Sequence, residues 1–153
     1  MRLCHLLLLP PSLLCRLCAR HADKEGCAIR AAFAEKRKLT LEALHRMGLT
    51  TLPCSSTFYV WGCVENLPLP LSDGLSFFHQ ALVKQVMVVP GVFFDLCPAG
   101  PREGRSACDK WVRFSFGPPK AVLVEGLARL EALVAEFTTT TIADKPPSPL
   151  TVT

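Results

Sequence analysis

The feature of the sequence that most limits its fold is a strictly alternating run from Trp111 to Phe116. Val112, Phe114 and Phe116 occupy every second position, and Arg113 and Ser115 lie between them. Because successive side chains of a β-strand point to opposite faces of a sheet, the run predicts a strand with one apolar face. Gly117, Pro118 and Pro119 follow, a sequence that ends a strand and can begin a helix.

Two other segments have strand character. Residues 57–64 carry bulky apolar side chains on both alternating faces, which is typical of a strand in the middle of a sheet. Residues 87–89 are a short apolar run closed by the turn dipeptide Pro90-Gly91. The sequence therefore predicts at least three strands.

Apolar residues at helical spacing mark three helices. The first is predicted from about Cys27 to Met47, with Gly48 as its C-terminal cap, and its stripe is Ile29, Phe33, Thr40, Leu44 and Met47. The second is capped by Asp73 and has the stripe Leu75, Phe78, Leu82 and Val86. The third follows Pro119 and has the stripe Leu123, Leu127, Leu130, Val134 and Phe137. The predicted fold class is α+β, a small and mainly antiparallel sheet with amphipathic helices packed on it.

The length of 153 residues fits a single folded domain, predicted at residues 23–137. Residues 1–22 are apolar, carry three arginines and contain no acid, which predicts a leader or remnant segment. A signal peptide, an organelle presequence and remnant sequence remain open for it, and the compartment is unknown, with the cytoplasm favoured. Pro10 and Pro11 interrupt the apolar stretch, so no membrane span is predicted. Residues 138–153 are rich in Thr and Pro and are predicted to be a disordered tail.

The net charge of +4 comes from basic residues that are interleaved with acidic ones, so nucleic-acid binding is not predicted.

The chain has eight cysteines. Cys27, Cys54 and Cys63 stand in apolar surroundings, where a free cysteine packs as a small hydrophobe. Cys15 and Cys18, with His21, have a spacing that a zinc or redox site could use, but no second ligand pair follows and no metal is predicted. No catalytic Ser/His/Asp set, zinc-protease motif or paired carboxylates are found.

Arg113 is a charged residue in the middle of a predicted strand, and its position there needs an explanation. Its stem could lie on the sheet while its head reaches water or a nearby acid. Alternatively, a rigid strand could present its planar guanidinium to a carboxylate, which it can grip through two parallel hydrogen bonds.

Five segments, in this order, resemble the C-terminal small domain of class I/II (fold type I) pyridoxal-phosphate-dependent aminotransferases. They are Glu35-Lys-Arg-Lys-Leu, Ser56-Thr-Phe-Tyr-Val-Trp, Asp73-Gly-Leu-Ser-Phe-Phe, Val88-Val-Pro-Gly-Val-Phe-Phe and Val112-Arg-Phe-Ser-Phe-Gly. The resemblance implies that Arg113 binds the substrate carboxylate and that Pro90, Gly91 and Phe93 line the cleft. It also implies transfer of an amino group between an amino acid and a 2-oxo acid, a partner large domain and a homodimer in the full enzyme.

The resemblance also implies what this chain does not supply. In the family, the lysine that holds pyridoxal 5'-phosphate and the groups that bind its ring and phosphate precede the matched region. No cofactor-binding or catalytic residue is therefore predicted here, and the chain alone is expected to be inactive. Two alternatives remain: a non-catalytic carboxylate-binding or regulatory module derived from such a domain, and a secreted or organelle-targeted structural protein that uses its cysteines.

Overall fold

The computed structural model of the protein describes residues 11–96 and 106–143. The chain divides into two compact units, one ending at Glu35 and one beginning at Lys36. The helices are α1 (Pro11–Arg46), α2 (Gly74–Val83) and α3 (Lys120–Ala143), and the strands are β1 (Thr50–Thr51), β2 (Tyr59–Cys63), β3 (Val89–Pro90) and β4 (Trp111–Ser115). A short 3-10 helix, Gly91–Phe94, directly follows β3.

The four strands form one antiparallel sheet in the order β1-β2-β4-β3. The two central strands, β2 and β4, pair over their full lengths, with Val60 opposite Phe114 and Trp61 opposite Arg113. The predicted α+β class and the central position of the second strand are thus confirmed. The sequence did not predict β1, which has two residues and no alternation to reveal it.

The core lies on one face of this sheet. Val60, Val112, Phe114 and Phe116 are buried there, as the alternation predicted. Three helical segments bury apolar residues: Ala43 and Leu44 at the end of α1, followed by Met47 just after it, Phe77 and Ala81 in α2, and Leu123, Leu127, Leu130, Leu133 and Val134 in α3. Thr40 is buried as well, and its hydroxyl donates to the Lys36 carbonyl at 2.9 Å, so the buried polar group is satisfied.

The buried face of α2 differs from the predicted one. The cap is as expected, since the Asp73 carboxylate accepts a hydrogen bond from the Ser76 amide at 3.1 Å. The buried residues, however, are Gly74, Phe77 and Ala81, whereas Leu75 and Leu82 are exposed. A Cβ on Gly74 would lie 2.7 Å from the Asp109 carbonyl oxygen, so Gly74 allows the start of this helix to approach the chain beside β4 closely. The buried face combines this close backbone approach with the fully buried ring of Phe77.

Both long helices extend beyond their predicted ends. α1 begins at Pro11 rather than near Cys27, because proline is well tolerated in the first helical turn. Within the unit that ends at Glu35, Ile29, the first residue of the predicted apolar stripe, is 56% exposed. Residues 1–10 of the predicted leader lie outside the described residues. No helix among the residues that the structure describes is long and apolar enough to span a membrane.

α3 continues to Ala143, although the sequence predicted a disordered tail from residue 138. The threonine hydroxyls of this stretch find hydrogen-bond partners within the helix. Thr138, Thr139 and Thr140 each donate a hydroxyl hydrogen bond to the carbonyl four residues earlier, at 2.8, 2.9 and 3.0 Å. This bonding gives the hydroxyls a partner inside the helix. The remainder of the predicted tail, 144–153, lies outside the described residues.

Gly91 is the first residue of the 3-10 helix, and its replacement tests how tightly that segment packs against the chain before β4. A Cβ there would overlap the Cys108 carbonyl oxygen and lie 2.8 Å from that of Trp111. Because backbone atoms on both sides must shift, Gly91→Ala should lower the free energy of unfolding by about 1–3 kcal/mol. The matched control is Gly126→Ala in α3, where a Cβ meets nothing within 4 Å and should stabilise by about 0.5–1 kcal/mol. Urea unfolding of both variants checks this, and equal stabilities would contradict it.

Candidate functional site

Arg113 lies at the middle of β4 on the sheet face opposite the core. It pairs with Trp61 of β2 on one side and with Val89 of β3 on the other. Its neighbours Val112 and Phe114 are buried, whereas Arg113 itself is partly accessible. The alternation of β4 therefore places the guanidinium on the open face, on a rigid central strand.

Two aromatic rings hold the Arg113 guanidinium. Its Cζ atom lies 4.2 Å from the ring centroid of Tyr59 and 4.4 Å from that of Phe94. Both distances are well within the range of cation–π attraction. Tyr59 comes from β2 and Phe94 from the 3-10 helix after β3, so the rings arrive from the two strands that flank β4. Trp61 packs edge-on against Phe94 with centroids 5.2 Å apart, which completes an aromatic cluster around the cation.

The N–H groups of the Arg113 guanidinium have no hydrogen-bond partner in the described part of the chain. No carboxylate among the described residues 11–96 and 106–143 forms an ion pair with it, in contrast to Arg46 with Glu131 and Arg129 with Glu125. Of the two structural interpretations, an arginine paired to a neighbouring acid is therefore not seen in these residues, whereas a stem on the sheet with its head toward water agrees with the partial accessibility of Arg113. A cation whose donors are free is suited to binding an anion from outside.

A cleft of about 360 Å³ opens beside Arg113. Its walls are formed by the loop between β1 and β2 on one side and by the aromatic cluster on the other, and its lining is Leu52, Pro53, Cys54, Ser55, Ser56, Thr57, Tyr59, Val60, Trp61, Phe94 and Arg113. Arg113 is the one charged residue in this lining as far as the described residues form it. The cleft thus combines one cation with hydroxyl groups and apolar rings, a composition suited to a carboxylate attached to an apolar body.

The loop that forms one wall is fixed by local hydrogen bonds. The Cys54 thiol donates to the carbonyl oxygens of Tyr59, at 3.0 Å, and Ser56, at 3.3 Å. Thr57 adopts a φ of 67°, in the left-handed region that β-branched residues rarely occupy. Thr57 lies two positions before Tyr59, whose ring contacts the Arg113 guanidinium. The loop therefore leads directly into the strand residue that reaches the cation.

The three residues predicted to line the cleft are placed differently from Arg113. Pro90 and Gly91 are buried in the turn at the end of β3. Phe93 is 61% exposed, and its ring packs against Phe78, with centroids 6.4 Å apart, rather than against Arg113. Phe94, which sequence reasoning did not select, is the residue that meets the guanidinium. A 3-10 helix turns about 120° per residue, so adjacent phenylalanines point in different directions.

No described lysine of the second unit is placed to hold a cofactor in this cleft, because no lysine lines it. Lys36 donates to the carbonyl of Gly117 at 2.9 Å, Lys84 pairs with Glu136 at 2.7 Å, and Lys110 donates to the Ser72 carbonyl at 3.1 Å. The lining residues therefore do not fit covalent attachment of pyridoxal phosphate. Lys145 lies outside the described residues, as do residues 97–105.

The fold is shared with solved aminotransferase structures. An aromatic aminotransferase from Pyrococcus horikoshii matches 76% of this chain with a TM-score of 0.63 and 26% sequence identity. An aminotransferase from Mycobacterium tuberculosis matches 69% with a TM-score of 0.57 and 29% identity. The resemblance to aminotransferases is confirmed. An aspartate aminotransferase mutant from Thermus thermophilus matches 75% of this aminotransferase-like chain with a TM-score of 0.58 and 25% identity.

The aminotransferase-like chain spans only about a quarter of the length of these proteins, namely 28%, 25% and 28% of each matched chain. Its α+β arrangement corresponds to an aminotransferase small domain. No protein-family model matches the sequence, and no curated protein matches it.

Thr57 allows a test of the strain in the cleft wall. Thr57→Gly should raise the free energy of unfolding by about 0.5–1 kcal/mol, because removing the branched Cβ relieves the left-handed backbone by more than the added chain entropy costs. Ser56→Gly, one residue earlier and without a positive φ, is the control and should not stabilise. Urea unfolding midpoints measure both, and a destabilised Thr57→Gly would show that the side chain supports the loop instead.

Proposed function

We propose that this chain is the small-domain part of a pyridoxal-phosphate-dependent aminotransferase, in which Arg113 binds the carboxylate of the substrate. The reaction would transfer an amino group between an amino acid and a 2-oxo acid. The observation that carries the proposal is the Arg113 guanidinium, centred on the open face of the sheet, held by aromatic rings and without an acidic partner among the described residues.

The chemistry of the side chain suits this role. A guanidinium is planar, stays charged and presents parallel N–H donors that match the two oxygens of a carboxylate. The strand holds the base of the side chain, so the bound carboxylate would be placed at a fixed distance from the sheet. The surrounding rings of Tyr59, Trp61 and Phe94 lower the local exposure to water, which strengthens the attraction between the charges.

The cofactor and the reacting groups would come from a large domain. Because no lysine among the described residues lines the Arg113 cleft, pyridoxal 5'-phosphate is assigned by family resemblance to that partner and not to this cleft. Leu52, an exposed apolar residue in the lining of the cleft, would suit contact with such a domain. A homodimer of the full enzyme is part of the same proposal.

The second candidate is a non-catalytic module that binds carboxylates through Arg113. The observation that favours it is the same lysine-free cleft, which has the groups for binding but not those for attaching the cofactor. The two candidates share the Arg113 contact. They differ in whether a large domain supplied separately restores amino transfer.

Arg113→Lys tests the shared contact. We expect it to weaken binding of 3-phenylpropionate by about ten- to a hundredfold, because lysine keeps the charge but cannot form two parallel bonds, each contributing about 1.5–3 kcal/mol. Titration followed by NMR of the full chain measures the affinity. Arg46→Lys is the control, since Arg46 is exposed and pairs with Glu131 between helices, away from the cleft.

The stability of Arg113→Lys separates a binding role from a structural one. The free energy of unfolding of Arg113→Lys should stay within about 0.5 kcal/mol of that of the unchanged chain, because Arg113 lies opposite the buried face. A variant that unfolds while its folded fraction binds the probe normally would show that the arginine is structural.

A second test concerns the cofactor. When the full chain is mixed with pyridoxal phosphate and reduced with borohydride, no single lysine should be labelled stoichiometrically, because no described lysine lines the cleft. Mass spectrometry of the digested chain reports the site and extent of labelling. Complete labelling of one lysine, lost when that lysine is replaced by arginine, would contradict the assignment of the cofactor to a partner domain.

A further inference from the structure

We propose that Phe94 and Tyr59 are positioning residues, whose rings orient the Arg113 guanidinium for its ligand while leaving its hydrogen-bond donors open. The inference rests on the proposed carboxylate-binding role of Arg113. It concerns a different question, which is how a long and flexible side chain is held ready before any ligand is present.

An arginine at a binding site has to be ordered by something. A neighbouring carboxylate would order it, but would also occupy the N–H donors and compete with the incoming anion. Aromatic rings attract the cation through their faces and accept none of its conventional hydrogen bonds. With Cζ 4.2 Å from the Tyr59 centroid and 4.4 Å from that of Phe94, Arg113 is held in this second way.

The two rings are themselves held in place. Phe94 packs against the edge of Trp61 at 5.2 Å, and its backbone belongs to the 3-10 helix that Gly91 allows to approach Cys108 and Trp111 closely. Tyr59 packs against Phe58 with centroids 4.1 Å apart, and its carbonyl accepts the Cys54 thiol. Rings anchored by other contacts can restrict the arginine, whereas freely rotating rings could not.

Phe93 and Phe94 supply a matched comparison within one short helix. They are adjacent and of the same type, yet only Phe94 contacts Arg113, while Phe93 packs against Phe78. Any general loss of hydrophobic packing in this helix should affect both variants. A loss specific to orientation of the cation should appear only at position 94.

The experiment uses the full chain with Phe94→Leu, Phe94→Tyr and Phe93→Leu, and has two readouts. The first is the 15N relaxation of the Arg113 Nε–H group, identified by its loss in Arg113→Lys. A guanidinium held by its neighbours should show the restricted motion of an ordered group, a property that the loss of a ring current does not change by itself. The second readout is the affinity for 3-phenylpropionate.

Phe94→Leu should increase the motion of the Nε–H group and weaken binding about three- to tenfold. Phe94→Tyr should restore both values, because the ring is kept, and Phe93→Leu should change neither. If Phe94→Leu leaves both readouts unchanged, or Phe93→Leu changes them as much, the positioning role is overturned. Tyr59→Leu, which removes the second ring, should act in the same direction and gives an independent decision should Phe94→Leu fail to fold.

Failure of the positioning role differs from failure of the binding role. If Arg113→Lys weakens binding but Phe94→Leu does not, Arg113 binds the carboxylate and the rings do not position it. If Arg113→Lys leaves binding unchanged, the proposed function itself is wrong, and the positioning proposal fails with it.

Discussion

The antiparallel pairing of β2 with β4 is the constraint on which the rest of the domain depends. These strands are the two longest in the described sheet, and their register sets Val60 opposite Phe114 and Trp61 opposite Arg113. A shift of one residue would turn every side chain to the other face. Such a shift would send Phe114 to the open side and Arg113 into the core, where an unpaired charge is costly. The same ladder therefore fixes both the hydrophobic core and the position of the cation.

The parts of the structure that could be predicted from the sequence are those where one local rule dominates. Alternation in residues 111–116 gave the buried face of β4 and the open position of Arg113. The helical spacing of Leu123, Leu127 and Leu130 gave the buried stripe of α3, and Asp73 gave the start of α2. In each case the signal is contained within a few consecutive residues, so no knowledge of the partner element is needed.

The parts that were missed depend on contacts between distant segments. The buried face of α2 includes Gly74, which lies directly against the Asp109 carbonyl, a contact that the helix sequence alone does not contain. The choice of Phe94 over Phe93 depends on the rotation of a single 3-10 turn. Tyr59 and Trp61 were recognised as strand residues, but their contact with the Arg113 site requires the register of β2 on β4. Tertiary geometry decides these three contacts, and local sequence propensity does not predict them.

The two edges of the sheet have a consequence for how copies of the chain behave at high concentration. β1 and β3 are the outer strands, and each has only two residues in the ladder. A long outer strand with unpaired amides is a template on which further chains can add and start an aggregate. Here the template is short on both sides, and Pro90 in β3 has no amide hydrogen to offer to an added strand. The sheet can thus leave a wide aromatic face open for binding while giving little opportunity for growth from its sides.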